Sequence, residues 1–266
     1  MQSSNPVLSR QDVFSRNGYA TFRDDPQPAP GTISYRREPS GPTAPPSSRP
    51  MTIDDVVART GLLLVIAIAT GTLAWAADVG FGLAIVAALV GFGLAMVNIF
   101  KKVPSPPLII AYAAVEGVFL GAFSHALEAS RPNLEGVALQ AVAGTAIVFA
   151  VMLGLYKSGR VRVTARMRKV MLAAMLAFVG LLVFNLIFSL FGSGVDTWGG
   201  PMGVAIGAIG VCLGAFMLAM DFDNVEAGIR AGAPEIEAWR AAFGLTVTVV
   251  WIYIEMLRLL SSLRGD

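Results

Sequence analysis

The sequence predicts an all-α protein, a polytopic bundle of seven transmembrane helices. Three observations carry this. Of its 266 residues, 55% are hydrophobic and only 14% charged, against about 25% charged in an ordinary soluble domain. Seven apolar runs each reach the roughly 17–25 residues needed to cross a hydrocarbon core about 30 Å thick. The basic residues gather in alternate loops between those runs, the pattern that sets orientation in a membrane.

The first 51 residues stand apart. Nine of the fifteen prolines lie between Pro6 and Pro50, mixed with Ser, Gly, Gln and six arginines. Such a stretch has too little apolar surface to offset its ordering entropy, so residues 1–51 are expected to be a disordered cytoplasmic tail. No apolar run near the N-terminus has the form of a signal peptide. Order is expected from Thr52, which with Asp55 has the spacing of a helix capping box. The membrane domain then occupies residues 52–266.

The runs are placed at Thr60–Ala77, Phe81–Phe100, Pro106–Ala126, Val137–Tyr156, Val170–Leu190, Val204–Met220 and Ala241–Leu263. Only Asp78, Val79 and Gly80 separate the first two, so they form a tight hairpin. Turn residues fill the other gaps: Pro104 with Pro106 and Pro107, Arg131-Pro132-Asn133, Gly192 to Pro201, and Gly232-Ala233-Pro234. In lipid the backbone must satisfy its own hydrogen bonds, which makes runs of this length helical.

Lys101 and Lys102, then Lys157, Arg160, Arg162, Arg166, Arg168 and Lys169, then Arg230 and Arg240 fall on one side; the other side's loops hold Arg131. The N-terminus is therefore expected in the cytoplasm and the C-terminus outside. The cluster between spans four and five reads as a topology determinant against anionic headgroups.

Composition also excludes chemistry. One Cys and one His rule out a disulfide framework and His- or Cys-rich metal centres. A net charge of +2 gives no reason to expect nucleic acid as a partner. His125 beside Ser124 lacks the setting of an intramembrane serine protease dyad. Phe191-Gly-Ser-Gly-Val is a loop and not a phosphate cradle, since no strand precedes it and no Lys follows. Cys212 reads as a small core residue, and Gly203, Gly207 and Gly210 suit close helix packing. The chain is not expected to be an enzyme, and no cofactor is implied.

Intramembrane carboxyls are then the informative residues, because each costs several kcal/mol in hydrocarbon unless paired, hydrated or neutralised. Glu116 lies in the third run and Glu255 in the seventh, while Asp221 and Asp223 lie where the sixth ends. Arg258 follows Glu255 by three residues, on the same helix face. Glu255 therefore has two readings: a local ion pair serving packing, or a carboxyl that lines a polar path and exchanges a proton or holds a cation. Asp221 and Asp223, placed past a helix end and against its negative dipole, need a stabilising partner.

Three segments carry a family resemblance: Glu116-Gly-Val-Phe-Leu-Gly121, Asp221-Phe-Asp223-Asn-Val225 and Tyr253-Ile-Glu255-Met-Leu, in that order on seven spans. Together they resemble the Bax inhibitor-1-like (transmembrane Bax inhibitor motif) family in its bacterial form, over roughly residues 55–263. The resemblance implies a seven-helix bundle with the last helix near the centre, in a bacterial plasma membrane. It also implies a pH-sensitive leak channel for cations, Ca²⁺ foremost, whereas some eukaryotic relatives suppress cell death.

In similar proteins an aspartate of the sixth span and one of the seventh share a proton and latch the pore. Two carboxyls in contact in a low dielectric titrate as a unit, and hard oxygen ligands suit Ca²⁺. Carried onto this chain, Asp221 takes the sixth-span role, with Asp223 as the alternative register, and Glu255 the seventh. Glu116 would line the path, and Asp221, Asp223 and Glu255 would be the Ca²⁺ ligands. Lys101 or Lys102, and Arg258, are the candidate latch partners.

Here Glu replaces the seventh-span Asp, 34 residues after Asp221. In a last helix starting at Ala241, Glu255 lies about 21 Å along it, beyond reach of Asp221. A last helix starting near Glu235 would instead set Thr246 and Thr248 at the level of the family's acid. A second function is compatible with the same sequence. A non-conducting regulator would bind a membrane partner, such as a protease or stress-response component, through the long tail.

Overall fold

In the computed structural model the described residues are 49–161, 163–192, 194–195 and 197–265. The expected tail falls outside them up to residue 48. Among them, seven helices are long and apolar enough to cross a membrane: α1 (Ile53–Ala76), α2 (Phe81–Phe100), α3 (Pro106–Ser130), α4 (Val137–Lys157), α5 (Ala165–Leu190), α6 (Gly200–Arg230) and α7 (Glu237–Arg264). One 3-10 turn, Pro132–Leu134, precedes α4. The predicted all-helical, seven-span fold is observed, and the protein is an integral membrane protein. Successive helices run antiparallel. The end where α1, α3 and α7 begin is here called proximal, and the opposite end distal.

Several helices outrun the apolar signal that marked them. α1 starts at Ile53 because the capping box forms: the Thr52 hydroxyl accepts from the Asp55 amide at 3.3 Å, and the Asp55 carboxylate accepts from the Thr52 amide at 3.0 Å. Thr52→Ala is expected to cost about 1 kcal/mol, read as a lower thermal midpoint of the detergent-solubilised protein.

Residues 49–51, assigned to the tail by the sequence reading, pack against the bundle. Arg49 pairs with Asp55 and Glu235, the Met51 amide donates to the Ala233 carbonyl, and Pro50 bridges to Pro234. Residues 49–51 thus form a strap across the α6–α7 turn, with Met51 buried beneath it.

α7 organises the bundle. It is the most buried of the seven spans and contributes to all three apolar clusters: Leu245 and Ile252 with α6, Ala242 and Phe243 with α1 and α3, and Leu257 with α4. α5 is its opposite, with Phe178 as its one buried residue, packed edge-on against Trp251. The apolar residues around α5 are exposed, which suits a helix solvated by acyl chains.

Glycines decide where helices meet. At the α1–α3 crossing, Gly71, Gly117 and Gly121 lie backbone to backbone. An added Cβ at Gly117 would stand 2.8 Å from Ala67 Cα, and one at Gly121 2.8 Å from Gly71 Cα. Along α6, Gly203, Gly207, Gly210 and Gly214 form one stripe on which α7 lies. Ser262, Leu259, Glu255 and Ile252 rest on them in turn, as small residues permit in lipid.

Candidate functional site

The α6–α7 seam holds two of the four predicted carboxyls, at different depths. α6 has 31 residues, about 46 Å at 1.5 Å per residue, so it exceeds a hydrocarbon core of about 30 Å. Asp221 and Asp223 lie inside this helix, not past its end as the sequence reading had them. The chain from Asp221 to Arg230 stays helical because its polar groups find partners: Glu226 accepts from Tyr156 of α4 and pairs with Arg230 one turn on. The negative end of the helix dipole is thus more than two turns beyond Asp221.

Asp221 sits about 31 Å from the start of α6, roughly the depth of the core. Its Oδ2 accepts a hydrogen bond from Thr248 Oγ1 of α7 at 2.6 Å. α7 begins at Glu237, which realises the longer-helix alternative and brings Thr248 to this level. Thr246, also buried, donates within α7 to the Ala242 carbonyl. Asp221 borders a proximal cavity of about 320 Å³, lined also by Met51, Asn224, Val225, Arg240 and Gly244.

Asp223 points elsewhere. It pairs with Arg168 of α5 at 2.7 Å, so one residue of the basic cluster between spans four and five serves as a helix-to-helix ion pair.

Glu255 lies flat against Gly210. Gly210 is about 15 Å from the start of α6, half the thickness of the core. Its two carboxylate oxygens accept from one nitrogen, Nη1 of Arg258, at 3.1 and 2.8 Å. The pair is buried, with Glu255 1% and Arg258 6% exposed. Trp198, in the turn before α6, lays its ring 4.8 Å from the guanidinium carbon, and Phe123 of α3 meets that ring edge-on. On the next turn of α7, Ser262 is buried. Its Oγ and Arg258 Nε both lack a hydrogen-bond partner among the described residues.

Several expectations are corrected by this arrangement. Neither Asp221 nor Asp223 pairs with Glu255: Thr248 and Glu255 are seven residues, or about 10 Å, apart along α7. The three acids therefore do not form the expected shared-proton latch. They do not form a Ca²⁺ cage either, since no group of three or more His, Cys, Asp or Glu residues converges among the described residues.

Lys101 and Lys102 pair with none of these acids among the described residues. Their side chains are exposed, and only their carbonyls take part, accepting from Arg240, which also pairs with Glu237 at 2.7 Å. Arg240, and not either lysine, is the basic residue at the cavity that Asp221 borders. Glu116 is off the seam. It faces α2, where an added Cβ on Gly91 would stand 2.8 Å from its Oε2, and no hydrogen bond or ion pair engages it among the described residues.

His125 pairs with Asp78 at 3.2 Å and packs edge-on to Trp75, while Ser124 bonds Tyr253 at 2.7 Å. The two therefore form no dyad. Arg168, Arg240 and Trp198 were missed as partners, whereas the longer-helix alternative had already set Thr248 at the level of Asp221. Trp198 carried no signal in the sequence.

Among models of known families, one described as Bax inhibitor 1 like matches residues 5–265. No curated protein matches the chain.

Proposed function

Since the chain belongs to the Bax inhibitor 1 like family over nearly its whole length, we propose that it is a pH-sensitive cation leak channel with Ca²⁺ as its main ion. The observation that supports this is the pair of acids at two depths of the α6–α7 seam. Asp221 stands at the proximal cavity with Thr248, and Glu255 lies about 10 Å further along α7 with Arg258. Carboxyls retained in the interior of a membrane bundle mark ion or proton routes.

In this reading the two acids are successive stations, not one latch. A cation entering the proximal cavity meets Asp221 first; Thr248 engages Oδ2 of its carboxylate, and Oδ1 has no hydrogen-bond partner among the described residues. Glu255 is the next negative charge along α7. Acid conditions protonate carboxyls and remove that attraction, so flux falls as pH falls and rises as the groups ionise.

The test is Ca²⁺ entry into liposomes loaded with a calcium indicator, at a series of pH values. The wild type is expected to exceed protein-free liposomes and to leak faster at higher pH. Asp221→Asn combined with Glu255→Gln is expected to remove most of the flux and flatten its pH profile. Unchanged flux in that folded double variant would remove the mechanism.

A regulator reading has one observation of its own: residues 49–51 strap across the α6–α7 turn. In the same assay, removal of residues 1–48 leaves the flux of a channel intact. A regulator would instead show no flux with or without those residues.

A further inference from the structure

We propose that the α4–α5 turn is a binding site for an anionic phospholipid. The phosphate headgroup neutralises Lys157, Arg160, Arg166 and Lys169, and the acyl chains fasten α5 to the bundle. The inference goes beyond the channel reading and does not depend on it.

The charge balance of the proximal end picks out this turn. Arg49 and Arg59 pair with Glu235, Arg230 with Glu226, Arg240 with Glu237 and Arg168 with Asp223. Lys157, Arg160, Arg166 and Lys169 are exposed and have no acid partner among the described residues. Orientation depends on how many Lys and Arg a loop holds, and it gives no reason for their charge to stay unmatched. The first turn of α5 also carries no acid. Arg166 and Lys169 there stand at the positive end of the helix dipole, where cations are disfavoured. An anion from outside the chain relieves both repulsions.

The level and surroundings of the turn say which anion. α4 has 21 residues, about 31 Å at 1.5 Å per residue, close to the thickness of a hydrocarbon core. Lys157 at its end therefore stands at headgroup level. On α5 the cations are followed by Val170, Leu172 and Leu176, and on α4 Lys157 is preceded by Val151 and Leu153, all exposed. Cations at headgroup level, bordered by exposed apolar helix, suit a phosphate carried on acyl chains better than a soluble anion. The turn itself is anchored, because Val161 and Val163 pack against the apolar cluster that α6 and α7 share.

α5 is also the helix with most to gain. It is the least buried of the seven spans. Arg168 ties it to α6 at the proximal end, and Phe178 rests on Trp251 of α7 further along. A lipid held by its headgroup at the turn keeps its chains along α5, where a freely exchanging lipid would leave.

The experiment uses the full chain, delipidated in neutral detergent micelles and then given phosphatidylglycerol or phosphatidylcholine. A ligand of the folded state raises its stability, so phosphatidylglycerol is expected to raise the thermal midpoint by several degrees more than phosphatidylcholine. Arg160→Gln, Arg166→Gln and Lys169→Gln combined are expected to remove most of that difference while leaving the midpoint in phosphatidylcholine near wild type. The control Lys101→Gln with Lys102→Gln is expected to keep it. Native mass spectrometry of the wild type from an equimolar mixture is expected to show phosphatidylglycerol retained in several-fold excess.

A triple variant that keeps the difference overturns the proposal, as does a control that loses it equally, since either makes the effect one of general charge. Inorganic phosphate reproducing the shift would make this a soluble-anion site and also overturns it. Equal retention of the two lipids by the wild type does so even if the triple variant does not fold. None of these results touches the Ca²⁺ flux on which the channel reading stands.

Discussion

Arg258→Leu is expected to destabilise the protein by roughly 3–5 kcal/mol, because it strands the Glu255 carboxylate in the bundle interior without its counter-charge. The loss would be read as a lower midpoint in thermal unfolding of the detergent-solubilised protein. The double variant Glu255→Leu with Arg258→Leu is expected to recover most of it, and could exceed the wild type, since two apolar residues carry no desolvation cost. That asymmetry between single and double variants separates the penalty of an orphaned charge from any net stabilisation by the pair. Equal losses in both would mean that the pair itself stabilises the α6–α7 seam.

Gly121→Leu is the second large effect. A side chain there meets the backbone of Gly71 before it meets any flexible group, so neither neighbour can turn aside and α1 must part from α3. Overpacking a close contact of this kind costs about 1–3 kcal/mol and occasionally more. With backbone as the obstacle, the upper end is expected. Gly61→Leu is the matched control, because nothing lies within 4 Å of a Cβ at that position. A similar loss in both would place the effect in helix or lipid preferences and not in the crossing.

The seven spans were legible because hydropathy reports which solvent a residue meets, and α2, from Phe81 to Phe100, matches its apolar run end for end. The same signal misplaced helix ends wherever the helix leaves the hydrocarbon. α6 continues through Asp221, Asp223 and Glu226 to Arg230 on hydrogen bonds and ion pairs, to which hydropathy is blind. The capping box at Thr52 was readable because its chemistry is local, within four residues.

Site residues were legible as types and depths but not as partners. Glu255 and Arg258 were readable as a pair since the helix repeat alone brings them together. The contact of Asp221 with Thr248 depends on the register of α6 against α7, which the glycine stripe sets and the spacing of 34 residues left open. Arg240 and Trp198 reach their places through the bundle's tertiary fold, which no spacing rule encodes. Lys101 and Lys102 looked like partners because they are charged and close in sequence to the right helix end. Their part is played by their carbonyls, which any residue could supply.

The glycine crossing of α1 and α3 has one more consequence. Folding in water hides apolar surface from a solvent that orders around it, and this produces the large heat-capacity change that curves stability with temperature. Gly71, Gly117 and Gly121 hide little from water; they exchange acyl-chain contacts for backbone contacts. Parting these helices within the bilayer therefore carries almost no heat-capacity change. The enthalpy of that step stays nearly constant as the membrane warms or cools, and the contact has no cold limit of hydrophobic origin.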